Sequence, residues 1–300
     1  MSSTKKERCI IIPAIRKTSL IPDQFVKKLA GVTLIQRTIN TAKNILPNED
    51  IYIVTDSEEI TLICTRNNVR YYYDGTLRIN NENIFQDLQV FLHCRANEYE
   101  NIIVYFGLTP LITHNEIEEA YQLFITSNAD LLVTLKKENH RFWKESNRKT
   151  GFIETVKLSN YKKEILVEAN AFKIIKATAI DEKIPAKKVI PYYLKGNGVE
   201  IKGYDDWWVC EKFLKRKRIV FVVAGYPAIG MGHVFRSLTL AHEISDHEIY
   251  FLCTKNSDLA AVHIAEKDYP TMLQSKDLLS GVISLHPDLV INDILDTDYD

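Results

Sequence analysis

Three hundred residues exceed what one hydrophobic core usually organises, so two domains are expected. With 46% hydrophobic and 26% charged residues and a net charge of −1, the chain has no global field for nucleic acid or an anionic membrane. Its start, MSSTKKERC, has no apolar signal core behind it, and the longest apolar runs, CIIIPAI and IVFVVAG, are too short to span a bilayer. Cys9, Cys64, Cys94, Cys210 and Cys253 are scattered and form no CxxC pair. That pattern predicts reduced, mostly buried thiols in a cytoplasmic protein and argues against a zinc site.

In chain order, β-rich runs predict strands at 9–14, 50–56, 69–73, 101–107, 129–137, 166–175 and, as GVEIK, 198–202. Helical periodicity marks TLIQRTINTAKNI, ENIFQDLQVFLHCRA and HNEIEEAYQLFITS, the last with Thr113 or Asn115 as its cap. This alternation predicts a mostly parallel sheet covered on both faces, with ligands at the carboxyl ends of its strands. YYYDG reads as an edge strand, and Trp207 with Trp208 as packing for the last helix. The basic run FLKRKR (213–218) is a solvated linker or helix end, after which strand–helix alternation restarts with RIVFVVAG. The expected organisation is a polar tail (1–6), a first domain (7–215) and a second Rossmann-like lobe (216–300).

The stretch CIIIPAIRKTSLIPDQFVKKLAGVTLIQRTINTA, with Ile12, Pro13, Ala14, Ile21, Pro22, Leu29, Ala30, Gly31, Leu34 and Ile35 in register, resembles the opening of the CMP-sugar synthetases. These cytidylyltransferases activate sialic acid, its relatives or 3-deoxy-octulosonate. IYIVTDSEEI, IIVYFGLTPLITHNEIEEA, VEANAFKI and GVEIKGYDDWWVCEKFL extend the resemblance over about 200 residues. It implies a nucleotide-diphospho-sugar transferase fold, CTP and a sugar acid as substrates, Mg²⁺, and pairing of two copies through this domain. The family's transfer attacks the α-phosphate of CTP with the anomeric hydroxyl and releases pyrophosphate.

Six positions depart from the family pattern. Its phosphate arginine is Ile15, its loop lysine Gln24, its base-reading glutamine Phe106, its substrate arginine Ile112, and its metal aspartates Glu200 and Lys202. Ala14, Arg16 and Lys17 remain as candidate nucleotide contacts, the two cations at shifted positions and bulky for a loop that cradles phosphate. Phe106 could stack on a base but cannot pair with its edge. An ammonium at position 202 sits badly in a Mg²⁺ site, leaving Glu200 as the one candidate ligand. The preferred reading is a domain that keeps the fold and transfers cytidylyl weakly or not at all. Its rivals are an active enzyme with rearranged residues and a non-catalytic module that binds a nucleotide sugar or scaffolds the fused partner.

In the second domain, GYPAIGMGHVFRSLTLA places Ile229, Gly230, Gly232, His233, Arg236, Leu240 and Ala241 on the pattern Ile-Gly-x-Gly-His-x-x-Arg-x-x-x-Leu-Ala. This resembles the start of the UDP-sugar hydrolases of pseudaminic acid synthesis and their spore-coat polysaccharide relatives, which have the two-lobed GT-B architecture. The glycines permit close backbone approach to a diphosphate at the helix start, and Arg236 can add a charge-assisted bond. The resemblance gives His233 the task of activating water on a UDP-sugar. The family's Arg-x-Asp-x-Ser stretch is replaced here by VAGYPA. Since that architecture needs a second lobe, the expectation is a fragment of a longer fusion, truncated within the hydrolase half.

Overall fold

In the computed structural model, which describes residues 5–16, 21–77, 84–138, 143–147, 152–155, 165–180, 187–195 and 198–294, the run CIIIPA lies at the heart of a sheet. The chain divides into two units, Met1–Glu211 and Lys212–Asp300. The first carries β1 (Lys6–Ala14), the two-residue pair β2 (Lys28–Leu29) and β3 (Val32–Thr33), α1 (Leu34–Lys43), β4 (Ile51–Thr55), α2 (Glu58–Asn67) and β5 (Arg70–Tyr73). There follow α3 (Ile84–Asp87), α4 (Gln89–Ala96), β6 (Tyr99–Tyr105), α5 (His114–Thr126) and β7 (Leu131–Glu138). A hairpin of β8 (Trp143–Asn147) and β9 (Phe152–Thr155), then β10 (Ile165–Lys176) and β11 (Val189–Tyr193) complete it, and α6 (Tyr204–Lys215) runs across the boundary after Glu211.

Seven of these strands form one sheet in the order β11-β7-β10-β6-β1-β4-β5. Only β10 runs against its neighbours, so six strands point the same way and their carboxyl ends share one edge. β1 and β4 read as unbroken apolar runs instead of alternating because helices cover both faces, and Cys9 to Ile12 are fully buried. α5 begins with a capping box, Thr113 accepting from the Glu116 amide while the Glu116 carboxylate accepts from the Thr113 amide. β5 is the edge strand anticipated for YYYDG, its residues exposed.

Two expectations fail in this unit. GVEIK is not a strand: the edge seat belongs to β11, which pairs with β7 from Val189↔Leu131 to Tyr193↔Leu135. Pro191 is tolerated there because an edge strand has a side that needs no donor. Residues 198–202 instead run as extended loop, with the Ile201 amide donating to the Leu108 carbonyl at 2.8 Å. Of the two tryptophans only Trp207 packs inward, at 7% exposure; Trp208 is 59% exposed. α2 was not anticipated, its buried face being only Ile60 and Cys64 at i, i+4.

The second unit contains β12 (Arg218–Val223), α7 (Gly232–Glu243), β13 (Glu248–Cys253), α8 (Asp258–Ala265), β14 (Thr271–Leu273), α9 (Leu278–Ser284) and β15 (Leu289–Asp293). Its four strands are all parallel, in the order β14-β13-β12-β15. Phe221 and Phe251 stack at 5.0 Å between ring centroids in its core. β14 and α9 were not anticipated, both being short and only partly buried. The chain steps from β12 through β13 to β14, then returns past β12 to β15. The topological switch point therefore lies between β12 and β15, at whose carboxyl ends open α/β sheets form a ligand crevice.

Among the described residues no helix is long and apolar enough to cross a membrane. All five cysteines are free, and only Cys94 is exposed. Burial pushes the Cys64 and Cys253 thiols up to about 12 and the Cys210 thiol to about 11, so these three remain protonated and unreactive.

Candidate functional site

At the carboxyl edge of the first sheet, β1 and β4 are tied by the Thr55 hydroxyl, which donates to the Ala14 carbonyl at 2.7 Å. The chain then turns, and the Arg16 amide donates to Asp56 Oδ1 at 2.7 Å. Arg16 Nε lies 3.0 Å from Asp23 Oδ1, so this shifted cation already faces a carboxylate. Ala14 is fully buried beneath the turn. Lys17 lies outside the described residues.

Four of the six substituted positions have gone into the core. Ile15 is 3% exposed, Gln24 5%, Phe106 1% and Ile112 5%. Ile15 and Phe106 belong to one apolar cluster with Ile11, Val54 and Val104. Phe106 is thus a core residue, not a stacking platform for a base. After it Gly107 turns with φ +70, where a Cβ would sit 2.8 Å from Thr38 Oγ1, so the loop that leaves β6 is held by close contact.

The candidate metal corner forms from β10 and the loop before α6. β10 is irregular between Glu168 and Lys173, where Asn170 takes a positive φ of 40°. Asn170 Nδ2 donates to Glu200 Oε1 at 3.1 Å, and Lys202 Nζ lies 3.3 Å from Glu200 Oε2. Both Glu200 oxygens are therefore engaged. Asp206 Oδ2 accepts from the Lys202 and Gly203 amides and so secures the start of α6. Among the described residues no cluster of three acidic, histidine or cysteine side chains could hold a metal. The donor set does not fit Mg²⁺, because its second carboxylate is replaced by an ammonium that neutralises the first.

In the second unit the glycine loop follows β12. The Ile229 and Gly230 amides both donate to the Tyr226 carbonyl, and Gly230 has φ +74, a left-handed turn that suits glycine. A Cβ at Gly230 or Gly232 would meet nothing within 4 Å, so the backbone there faces open space. α7 begins at Gly232, and no side chain caps its first turn, which leaves amide donors at its amino end. Gly225 serves packing instead: a Cβ there would sit 2.8 Å from Ala260 Cβ and from Val234 Cγ2.

One turn of α7 converges on a residue the sequence did not single out. Asp293, the last residue of β15, pairs in register with Val223 at the end of β12. Its Oδ1 lies 2.8 Å from His233 Nδ1, and its Oδ2 accepts from Arg236 Nε at 3.0 Å and from the Ser237 hydroxyl at 3.1 Å. Arg236 Nη2 also donates to Oδ1. Arg236 above all, then His233 and Ser237, hold the Asp293 carboxyl down at about 2. Sixty residues of sequence separate Asp293 from His233, and an acid at a strand end has no local signature.

No protein-family profile and no curated protein matches the chain. Solved structures are. CMP:2-keto-3-deoxy-manno-octonic acid synthetase complexed with CTP aligns with a TM-score of 0.54 at 11% identity, over 70% of this chain and 98% of that one. The 4-diphosphocytidyl-2C-methyl-D-erythritol synthase of Anaerococcus prevotii DSM 20548 aligns with a TM-score of 0.52 at 13% identity, over 70% and 97%. The second unit alone is too short to supply that share. At such identities the likeness speaks for architecture, and the architecture is a cytidylyltransferase-like fold built on a mixed, mostly parallel Rossmann-like sheet.

Proposed function

We propose that the chain acts in nucleotide-sugar metabolism, in the making of nonulosonic acids of the sialic and pseudaminic kind. Its first unit keeps the cytidylyltransferase fold with transfer activity weakened or lost. The observation that carries this reading is burial: four of the six altered positions are at most 5% exposed, so they face core and not ligand. Nucleotidyl transfer needs cations around the triphosphate and the leaving pyrophosphate. Here the available Arg16 pairs with Asp23, and Glu200 pairs with Lys202.

The second unit supports the hydrolytic half of the reading. Gly230 and Gly232 give a diphosphate access to uncapped amides, Arg236 keeps Nη1 for phosphate, and His233 serves as base toward water on a UDP-sugar. The decisive assay supplies CTP, Mg²⁺ and a panel of nonulosonic acids and follows pyrophosphate. We expect release at background level; turnover within tenfold of an ordinary enzyme's median, about 10 s⁻¹, would overturn the reading. Where a UDP-sugar is hydrolysed, His233→Ala should abolish the reaction with the fold intact, and unchanged activity would remove that assignment.

A further inference from the structure

We infer that Asp293 is the positioning residue of His233: it holds the imidazole as the Nδ1–H tautomer and leaves Nε2 as the basic nitrogen at the crevice. The inference rests on the hydrolytic reading of this unit but takes its evidence from geometry alone. An imidazole can act as a base only through the nitrogen that lacks a proton, and the partner of the other nitrogen decides which one that is. His233 Nδ1 has two neighbours: Asp293 Oδ1 at 2.8 Å, a carboxylate with no proton to give and therefore an acceptor, and Arg236 Nη2 at 3.2 Å, which has Asp293 Oδ1 as its nearer acceptor. Nδ1–H must donate, and Nε2 is left as the lone pair.

The carboxylate is itself held from three sides. Arg236 Nε and the Ser237 hydroxyl fix Oδ2, and Arg236 Nη2 reaches Oδ1, so both oxygens lie in a defined plane. Ser237 is 1% exposed and the Asp293 side chain 14%, which screens the contact from water. His233, Arg236 and Ser237 occupy positions i, i+3 and i+4 of α7 and so share one face of the helix. Asp293 approaches that face from the neighbouring strand across the switch point. This acid thus joins helix and strand at the place where the open glycine backbone begins.

In this arrangement Arg236 has a task the glycine-loop pattern does not reveal. Its guanidinium keeps Asp293 ionised and oriented, as well as presenting an edge to phosphate. Ser237 does the same from the buried side. The group assigned here is therefore a carboxylate–imidazole dyad with two supports, its members 56 to 60 residues apart in the chain.

The test is a long-range ¹H–¹⁵N correlation spectrum of the full chain labelled with ¹⁵N-histidine. It is recorded at about pH 8.5, where an ordinary imidazole is neutral. His233→Gln identifies the signal. We expect the wild type to show a protonated Nδ1 and a bare Nε2, and Asp293→Ala to revert to the Nε2–H form. A wild-type His233 that carries its proton on Nε2 overturns the inference whether or not any variant folds; so does an Nδ1–H pattern that survives Asp293→Ala. If a UDP-sugar is hydrolysed, Asp293→Asn should lower kcat on the order of 10²-fold or more with KM little changed. A loss confined to KM would count against positioning. The tautomer is read without substrate, so failure of the hydrolytic reading leaves this result standing and distinguishable.

Discussion

The two sheets of this chain end in edges of opposite character. At the carboxyl edge of the first, four positions expected to face a nucleotide are buried, three of them apolar, and Arg16 and Lys202 lie against Asp23 and Glu200. At the carboxyl edge of the second, polar residues from a helix and a strand converge on one ionised carboxylate beside an open glycine backbone. Both edges belong to parallel-type sheets whose geometry alone would favour a ligand. Architecture therefore does not decide reactivity. The disposition of a few side chains does, and it differs between two units of one chain.

The sharpest way to break this comparison is to restore charge where the first edge has become core. Ile15→Arg places a guanidinium at a site 3% exposed, within an apolar cluster. We expect a loss of about 3 kcal/mol, read as a lower urea midpoint. An unchanged midpoint accompanied by new affinity for CTP would show that position 15 faces the ligand side after all.

Next in size is the acid of the second edge. Asp293→Ala removes the acceptor shared by His233, Arg236 and a Ser237 hydroxyl buried at 1% exposure, and should cost about 2 kcal/mol. The same contact gives a pH signature. Asp293 is depressed to about 2, so its contribution is fully present above the ordinary carboxylate range and is lost as pH falls from about 4 toward 2. Because Arg236 is 68% exposed, solvent screens the pair, and a loss on the order of 1 kcal/mol is expected across that window. Thermal midpoints of wild type and Asp293→Ala should converge as the pH drops; a constant gap would show that the carboxylate is not the group responsible.

Much of the fold was legible because burial on both faces of a parallel strand writes itself as an unbroken apolar run, as in CIIIPA and IVFVV. β11 was not: VIPYY alternates exposed and buried residues around a proline that only an edge tolerates. GVEIK carries the right residue types but no ladder partner, a fact that depends on the rest of the sheet. At the sites, the glycine loop and His233 were visible as a local pattern, whereas Asp293 joins them only through the pairing of β15 with β12. The altered positions of the first domain were visible as losses of chemistry. That Ile15 and Phe106 had joined one apolar cluster needed the coordinates, because burial is a property of neighbours.

The smallest expected change in stability tests the metal corner. Lys202 is 68% exposed and its pair with Glu200 is half in water, so Lys202→Asp should shift stability by about 0.5 kcal/mol or less. Its effect on binding should be larger. The substitution frees Glu200 Oε2 and sets a second carboxylate two residues away, while Asn170 still orients Oε1. Titration calorimetry with CTP in the presence and absence of Mg²⁺ compares the two proteins directly. We expect no Mg²⁺-dependent heat from the wild type and a measurable one from the variant, since one or two carboxylates with phosphate oxygens suffice for this ion. Equal Mg²⁺ dependence in both would mean that Lys202 swings clear of the corner when nucleotide arrives. The first edge would then be a quiescent version of the second kind, not its opposite.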